Sequence, residues 1–300
     1  MAAALALSTS SRAASAREAI AVTARVPTFA GPTGLGYGHG LLWVTRDNNT
    51  VARVDPRSGR VLGRTHVGRF PVRVAVGGRW AWVANSGGDS VSKLDARTGR
   101  RLKTIAVGDQ PSGVALVAGS VWVVCGGDTR MFRIDPITAR VVATIAIGEP
   151  PNDPPAIAAG PTGLWTTRLD QVVQISPRRN AVAASVHVRA PTDVAVGPDR
   201  VWIASIEQHR VTRIDPRSKA VDRSVQVGHG PSGVALALHE VWVLDNADST
   251  VWELDPGTGR KLATVAIGAY SYDLAVGGGA VWAQSYAEDA VYKIQPVSGV

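Results

Sequence analysis

Tryptophan recurs along this chain at nearly constant intervals, and that spacing constrains the fold more than any other feature. Seven of the nine tryptophans follow one another at intervals of 37 to 43 residues. They are Trp43, Trp82, Trp122, Trp165, Trp202, Trp242 and Trp282. A second marker, usually Asp-Pro, runs in step with them at Asp55, Asp95, Asp135, Ser176, Asp215, Asp255 and Gln295. A period near 40 built from short strands is typical of β-propeller blades.

One repeat divides into four strands, which we letter A to D from the innermost strand outwards. In the third repeat they are PSGVAL, SVWVV, RMFRID and RVVATIAIG, each rich in residues that favour strands. The turn between strands C and D is clearest as DPRSG in the first repeat. Proline suits the second position of a type I turn, and the aspartate can accept hydrogen bonds from turn amides. The recurring aspartates are therefore predicted to be folding features.

The last repeat ends with YKIQPVSGV, just after its strand C. We expect the segment from Glu18 to Thr28 to supply the missing outer strand, which would close the ring and remove its open edges. The prediction is an all-β chain with one seven-bladed propeller domain of four-stranded antiparallel blades, spanning residues 18–300. Residues 1–17 are expected to be a disordered tail or the remnant of a signal segment.

The N-terminal stretch MAAALALSTSSRAASAREA leaves the location of the protein open. AASA is similar to a small-residue cleavage site, but no positively charged region precedes the apolar residues. We expect an extracytoplasmic protein and keep a cytoplasmic location as the alternative. No apolar run is long enough to span a bilayer, and a monomer is expected.

Charge and cysteine content narrow the function classes. The net charge of +8 comes partly from turns such as DPRSGR and DARTGRR, which should be spread around a rim. Nucleic acid is a disfavoured partner, because no nucleic-acid-binding motif accompanies the charge. The single cysteine, Cys125, lies in a strand-like run and is expected to be a buried small hydrophobic residue.

The segment AWVANSGGDSVSKLDARTGRRLKTIAVGDQPSGVAL, residues 81–116, resembles the YVTN β-propeller repeat of YncE-like proteins. The resemblance extends over about residues 18–300. It implies the propeller fold and says little about activity, because the shared residues are those that build blades. Members of this group are often exported, which agrees with an extracytoplasmic location.

Candidate binding residues are those that depart from the repeat near the top face, where the D–A and B–C loops surround the channel. Two register positions are informative: the residue nine before each marker tryptophan, and the residue three after it. The charged residues at these positions are Arg46, Arg73, Arg168, Asp193, Asp245 and Asp273. Two interpretations stay open. These residues hold a zwitterionic or small polar ligand at the channel mouth, or they solvate the channel and neutralise one another.

Two histidines, His209 and His229, belong to top loops that flank the boundary between blades five and six. His229 is a further candidate for ligand contact. With Asp245 the two histidines could form a His–His–carboxylate metal set, and exposed loop histidines are the alternative. No cofactor is predicted, and a divalent metal is the one candidate.

Two functions follow from these observations. The first is a non-catalytic binding or scaffold propeller whose top face takes a small polar molecule, a peptide or a cell-envelope component. The second is a metal-dependent lyase or hydrolase, because the tryptophan-bearing repeat also resembles that of streptogramin B lyases. That resemblance implies a histidine at Ser232 and a metal-holding glutamate at Asp245. Both positions depart from the pattern, so the imidazole base is in doubt. We predict the binding function.

Overall fold

The computed structural model describes residues 19–28, 30–149 and 154–297, and these form seven antiparallel sheets of four strands each. The first described strand is β1 (Ala19–Pro27). Blade one contains β2 (Pro32–Gly38), β3 (Leu41–Arg46), β4 (Thr50–Val54) and β5 (Val61–His66). Blade two contains β6 (Pro71–Gly77), β7 (Trp80–Asn85), β8 (Ser90–Asp95) and β9 (Arg101–Ala106), with a short 3-10 helix at Ser86–Gly88. Blade three contains β10 (Pro111–Val117), β11 (Ser120–Cys125), β12 (Arg130–Asp135) and β13 (Arg140–Ala146).

The remaining blades repeat this order. Blade four contains β14 (Ile157–Gly160), β15 (Gly163–Arg168), β16 (Gln171–Ser176) and β17 (Ala181–His187). Blade five contains β18 (Pro191–Val196), β19 (Val201–Ser205), β20 (Arg210–Ile214) and β21 (Val221–Gln226). Blade six contains β22 (Pro231–Ala237), β23 (Glu240–Asp245), β24 (Thr250–Leu254) and β25 (Lys261–Ala266). Blade seven contains β26 (Leu274–Gly277), β27 (Ala280–Ser285) and β28 (Ala290–Val297), with β1 outermost. The predicted seven-bladed propeller is confirmed.

The ring closes through β1, which pairs antiparallel with β28. Val26 lies opposite Val291 in this pairing, and both are buried in the core between blades seven and one. The strand covers Ala19–Pro27, close to the segment expected from the sequence. The predicted tail over residues 1–17 lies outside the described residues.

Each marker tryptophan builds the core between its own blade and a neighbour. All seven side chains are at most 1% exposed. Trp122, for example, packs with Leu164 and Val173 of blade four. The indole nitrogen of Trp242 donates to the Ala237 carbonyl at the end of strand A, 3.0 Å away. Among the described residues, the buried indole nitrogens of Trp43 and Trp165 have no hydrogen-bond partner. The tryptophan therefore recurs because its large ring fills the space between blades.

Basic residues on strand C lie directly across from five of these tryptophans and stack on them. The pairs are Trp43–Arg53, Trp82–Lys93, Trp122–Arg133, Trp202–Arg213 and Trp282–Lys293. The guanidinium of Arg213 also donates to the Pro256 carbonyl of the next blade over 2.8 Å. Part of the positive charge of the chain therefore covers tryptophan rings and links blades.

The C–D turns confirm the folding role of the recurring aspartate. In blade one, Asp55 accepts hydrogen bonds from the Arg57 amide (2.8 Å) and the Ser58 hydroxyl (2.9 Å), and Gly59 has a φ of +68°. These hydrogen bonds lower the pKa of the Asp55 carboxyl.

Among the described residues, no helix has the length and apolar character that crossing a membrane would require.

Candidate functional site

Seven inner strands start at the top face and converge on a narrow channel. At the position nine before each marker tryptophan, three blades carry a charged side chain and four carry glycine or alanine. The residues are Gly34, Arg73, Gly113, Ala156, Asp193, Gly233 and Asp273. A Cβ at Gly34 would lie 2.0 Å from the Val72 carbonyl of blade two. A Cβ at Gly113 would lie 2.7 Å from Ile157 of blade four. The narrow ring therefore tolerates large side chains only where small neighbours leave room.

The three charged side chains of this ring come together in the channel. Arg73 forms an ion pair with Asp273, and the charge of Asp193 also acts on Arg73. We call these three residues the channel triad. It is one part of the set predicted from the sequence.

Both carboxylates of the channel triad also bridge to the next blade. Asp273 Oδ2 accepts a hydrogen bond from the Leu35 amide over 2.7 Å, and Asp193 Oδ2 accepts one from the Val234 amide over 2.8 Å. Each aspartate thereby ties the top of its own inner strand to that of its neighbour. The carboxylates have a structural function in addition to any role in binding.

Burial sets the protonation of the channel triad. It raises the pKa of Asp193 to about 6, against the opposing attraction of Arg73. Burial likewise raises the pKa of Asp273, again opposed by Arg73. For Arg73, burial disfavours the charged form, but the two carboxylates outweigh it and raise the pKa of the guanidinium. The triad therefore holds one charged guanidinium between two carboxyls whose ionisation is disfavoured by burial.

A cavity of about 180 Å³ lies at this level of the channel. Besides the channel triad, Gly113 and Ala156, its lining is a ring of aliphatic side chains one residue further along each inner strand: Leu35, Val74, Val114, Ile157, Val194, Val234 and Leu274. The Arg73 side chain is 27% exposed, whereas that of Asp273 is 8% exposed. Because a guanidinium carries five N–H donors, Arg73 retains donors that can face a guest in this cavity.

The other predicted charged residues lie away from the channel triad. Arg168 donates through Nη2 to the Gly148 carbonyl over 2.6 Å, in the D–A loop that enters its own blade. Asp245 is fully buried and accepts from the amides of Gly230 (3.1 Å) and Asp248 (2.9 Å). Arg46 is also buried and borders a separate cavity in blade one. At Arg168 and Asp245, the position three after the tryptophan therefore points under the D–A loop instead of into the mouth.

A glycine in the D–A loop is the sequence signal for this arrangement. A Cβ at Gly68 would lie 2.6 Å from the Asn85 side chain, and one at Gly228 would lie 2.0 Å from Asp245 Oδ2. The Asn85 side chain accepts from the Gly68 amide over 3.0 Å, as a loop anchor should. A Val-Gly or Ile-Gly dipeptide in the D–A loop, together with a polar residue three after the marker tryptophan, therefore indicates a side chain that binds the loop backbone. Such a residue is a weak candidate for ligand contact.

The two top-loop histidines are close, with ring centroids 6.1 Å apart. His229 Nδ1 lies 2.8 Å from Asp248 Oδ1, and this hydrogen bond raises the pKa of His229. The carboxylate beside His229 is therefore Asp248, which the sequence did not single out, and Asp245 is occupied by backbone amides. Within the described ranges, no group of three His, Cys, Asp or Glu side chains is placed to hold a metal ion.

Comparison with known proteins supports the fold and goes no further. No family model and no curated protein sequence matches the chain. Among solved structures it is similar to a chain of Kuenenia stuttgartiensis hydrazine synthase, with a TM-score of 0.77 and 19% sequence identity. The match covers 91% of this chain and 97% of the other. At that identity the likeness establishes the seven-bladed β-propeller fold alone.

Proposed function

We propose that this protein is a non-catalytic binding propeller that takes the polar end of a ligand into the channel at its top face. The ligand is a small polar molecule, a peptide end or a cell-envelope component. The observation that carries the proposal is the partly exposed Arg73 guanidinium, set between two carboxylates in a cavity whose other lining side chains are aliphatic. A few convergent polar side chains among aliphatic ones are typical of ligand sites.

The chemistry of the channel triad favours a ligand that carries both a negatively and a positively charged group. A carboxylate would accept hydrogen bonds from the free donors of Arg73, and an ammonium group would donate to Asp193. The volume of about 180 Å³ is below the range of about 300–1,000 Å³ that is usual for drug-sized ligands. The cavity therefore suits an amino-acid-sized group, either free or at the end of a longer chain.

The proposal includes membership of the YVTN-type propellers and an extracytoplasmic location. Support comes from residues 81–116, which carry the repeat, and from the small-residue stretch near the N-terminus. A cell-envelope ligand with exposed amino and carboxylate groups is consistent with such a location.

Within the described residues, no observation favours the lyase alternative, and the proposal leaves it aside. Ser232, the position of the lyase histidine, donates its hydroxyl to the Ser271 carbonyl over 3.3 Å. Asp245, the position of the lyase carboxylate, is committed to the loop amides described above.

The test is a thermal-shift titration with free amino acids and dipeptides. At least one member of the panel should raise the melting temperature saturably, because a ligand that binds only the folded state stabilises it. Arg73→Met should abolish that shift, while Arg57→Gln, at an exposed turn on the opposite face, should retain it. If Arg73→Met folds poorly, Arg73→Lys keeps the charge and should bind more weakly. Equal shifts in wild type and Arg73→Met, or no shift from the whole panel, would contradict the proposal.

A further inference from the structure

A second cavity lies at the top outer edge of blade one and shares no lining residue with the channel. Its volume is about 620 Å³, and it is lined by Arg46, Asn48, Thr50, Arg64 and His66. We call it the basic pocket. Among the residues that the structure describes, the side chains that line it are two guanidiniums, an imidazole, an amide and a hydroxyl, without a carboxylate.

Strand pairing explains why these side chains meet. Arg46 lies opposite Thr50, and Thr50 lies opposite His66, so the three form one row across β3, β4 and β5. Directly opposed residues in antiparallel strands project from the same face. Arg64 precedes His66 by two residues and therefore shares its face, and it lies opposite the small side chain of Ala52.

Arg46 is the buried floor of the basic pocket. It is 3% exposed, and its Nη1 donates to Thr50 Oγ1 over 3.2 Å. Its Nε has no hydrogen-bond partner among the described residues. Thr50 in turn donates to Asn48 Oδ1 over 2.6 Å, which holds the row in place. A guanidinium that is buried with an unsatisfied donor is costly unless an anion compensates it.

The charges around Arg46 also favour an anion. Burial lowers the pKa of Arg46, and the positive charge of Arg64 lowers it further. Asp47 and Asp289 act in the opposite direction, but neither lines the cavity. Asp47 Oδ2 is engaged by the Tyr286 hydroxyl over 3.0 Å. The pocket itself therefore presents a net positive surface.

We propose that the basic pocket binds a tetrahedral oxyanion of the phosphate type, either free or as an ester on a larger molecule. Arg64 and His66 are exposed and approach from the outer strand, while Arg46 and Asn48 approach from the inner side. Donors that converge from several directions match the oxygens of a tetrahedral anion better than the planar pair of a carboxylate.

The test is calorimetric titration with inorganic phosphate, glycerol phosphate and acetate, at constant ionic strength set with sodium chloride. Phosphate should bind saturably, and Arg64→Gln should weaken it about tenfold or more, as expected for loss of a charge-assisted hydrogen bond. Arg60→Gln removes the same charge from an exposed position at the other end of blade one and should change the affinity by less than about twofold. Equal affinity for glycerol phosphate would indicate an ester as the ligand, and weaker affinity would indicate the free ion.

Three outcomes overturn the proposal: no saturable phosphate binding, equal losses in Arg64→Gln and Arg60→Gln, or acetate binding as tightly as phosphate. The ring resonances of His66 supply a local readout, because phosphate in the basic pocket must shift them. Arg73→Met should leave phosphate binding unchanged. The proposal for the basic pocket and the proposal for the channel site can therefore be refuted independently.

Discussion

The most informative single substitution is Asp193→Asn in the channel triad. Asparagine keeps an oxygen that can accept from the Val234 amide and removes only the buried charge. A pKa raised from 3.8 to about 6 means that the folded state pays about 3 kcal/mol to ionise this carboxyl, at about 1.36 kcal/mol per pKa unit. That figure is an upper bound, because Asp193 is partly exposed to the channel. We expect a gain of about 1–3 kcal/mol in the free energy of unfolding at neutral pH.

The sign of the pH dependence follows from proton binding. Between pH 3.8 and about 6 the folded protein holds the Asp193 proton and the unfolded chain has released it. Stability due to this group is therefore present at low pH and is lost as the pH rises through that window. The advantage of Asp193→Asn should be near zero at about pH 4 and reach its full value by about pH 7.

Urea unfolding followed by tryptophan fluorescence measures this difference, since every blade contributes a buried tryptophan. Taking the variant minus wild-type difference at each pH cancels the titration of carboxyls outside the channel triad. Asp199→Asn, in a side chain that is 74% exposed, is the matched control and should stay within about 0.5 kcal/mol of wild type. A difference for Asp193→Asn that is independent of pH, or a variant less stable than wild type at neutral pH, would refute the reasoning.

Three further variants or treatments test the fold. Gly34→Ala places a Cβ 2.0 Å from the Val72 carbonyl and should cost about 2–3 kcal/mol in urea unfolding, whereas Gly119→Ala, with open space and a φ of +69°, should cost about 1 kcal/mol. Removal of residues 19–27 exposes the edge of the last blade, so size-exclusion chromatography with light scattering should detect concentration-dependent association and a lower melting temperature. Cys125, whose pKa burial raises to about 12, should resist a thiol reagent at about pH 8 in the native protein and react once urea unfolds it; prompt native labelling would contradict its burial.

The fold could be predicted from the sequence because the same residues perform the same task in every blade. Each marker tryptophan fills an interblade core, and most C–D turns are capped by an aspartate such as Asp55. The ring closure also followed, since strand C of the last blade had no partner unless the N-terminal segment supplied one. These features depend only on the order of strands and turns along the chain, and the spacing of the repeat shows that order.

The channel site was only partly predictable, because a repeat position gives the height of a residue in the blade and not the direction of its side chain. Arg73 and Asp273 share one register position and meet across the ring. Asp245 was assigned to the same mouth, but its backbone position turns the carboxylate under the D–A loop. Gly228 lies against this carboxylate and leaves space for it, since a Cβ at that position would collide with the Asp245 side chain.

The basic pocket was missed for a related reason. Arg64 and His66 lie on an outer strand whose pairing with β4 shifts at a bulge between Arg53 and Val54. Counting residues from the tryptophan therefore does not show that these side chains share a face with Arg46. Only the strand register of the structure places them together.

The central claim is that ligands enter the channel at Arg73. The direct measurement is the Nε–Hε resonance of Arg73 in a two-dimensional ¹H–¹⁵N spectrum, assigned as the signal lost in Arg73→Met. The account predicts that an amino acid or dipeptide that stabilises the protein shifts this resonance saturably, with the same midpoint as the thermal shift. A stabilising ligand that leaves the Arg73 resonance in place and moves signals elsewhere would contradict the account.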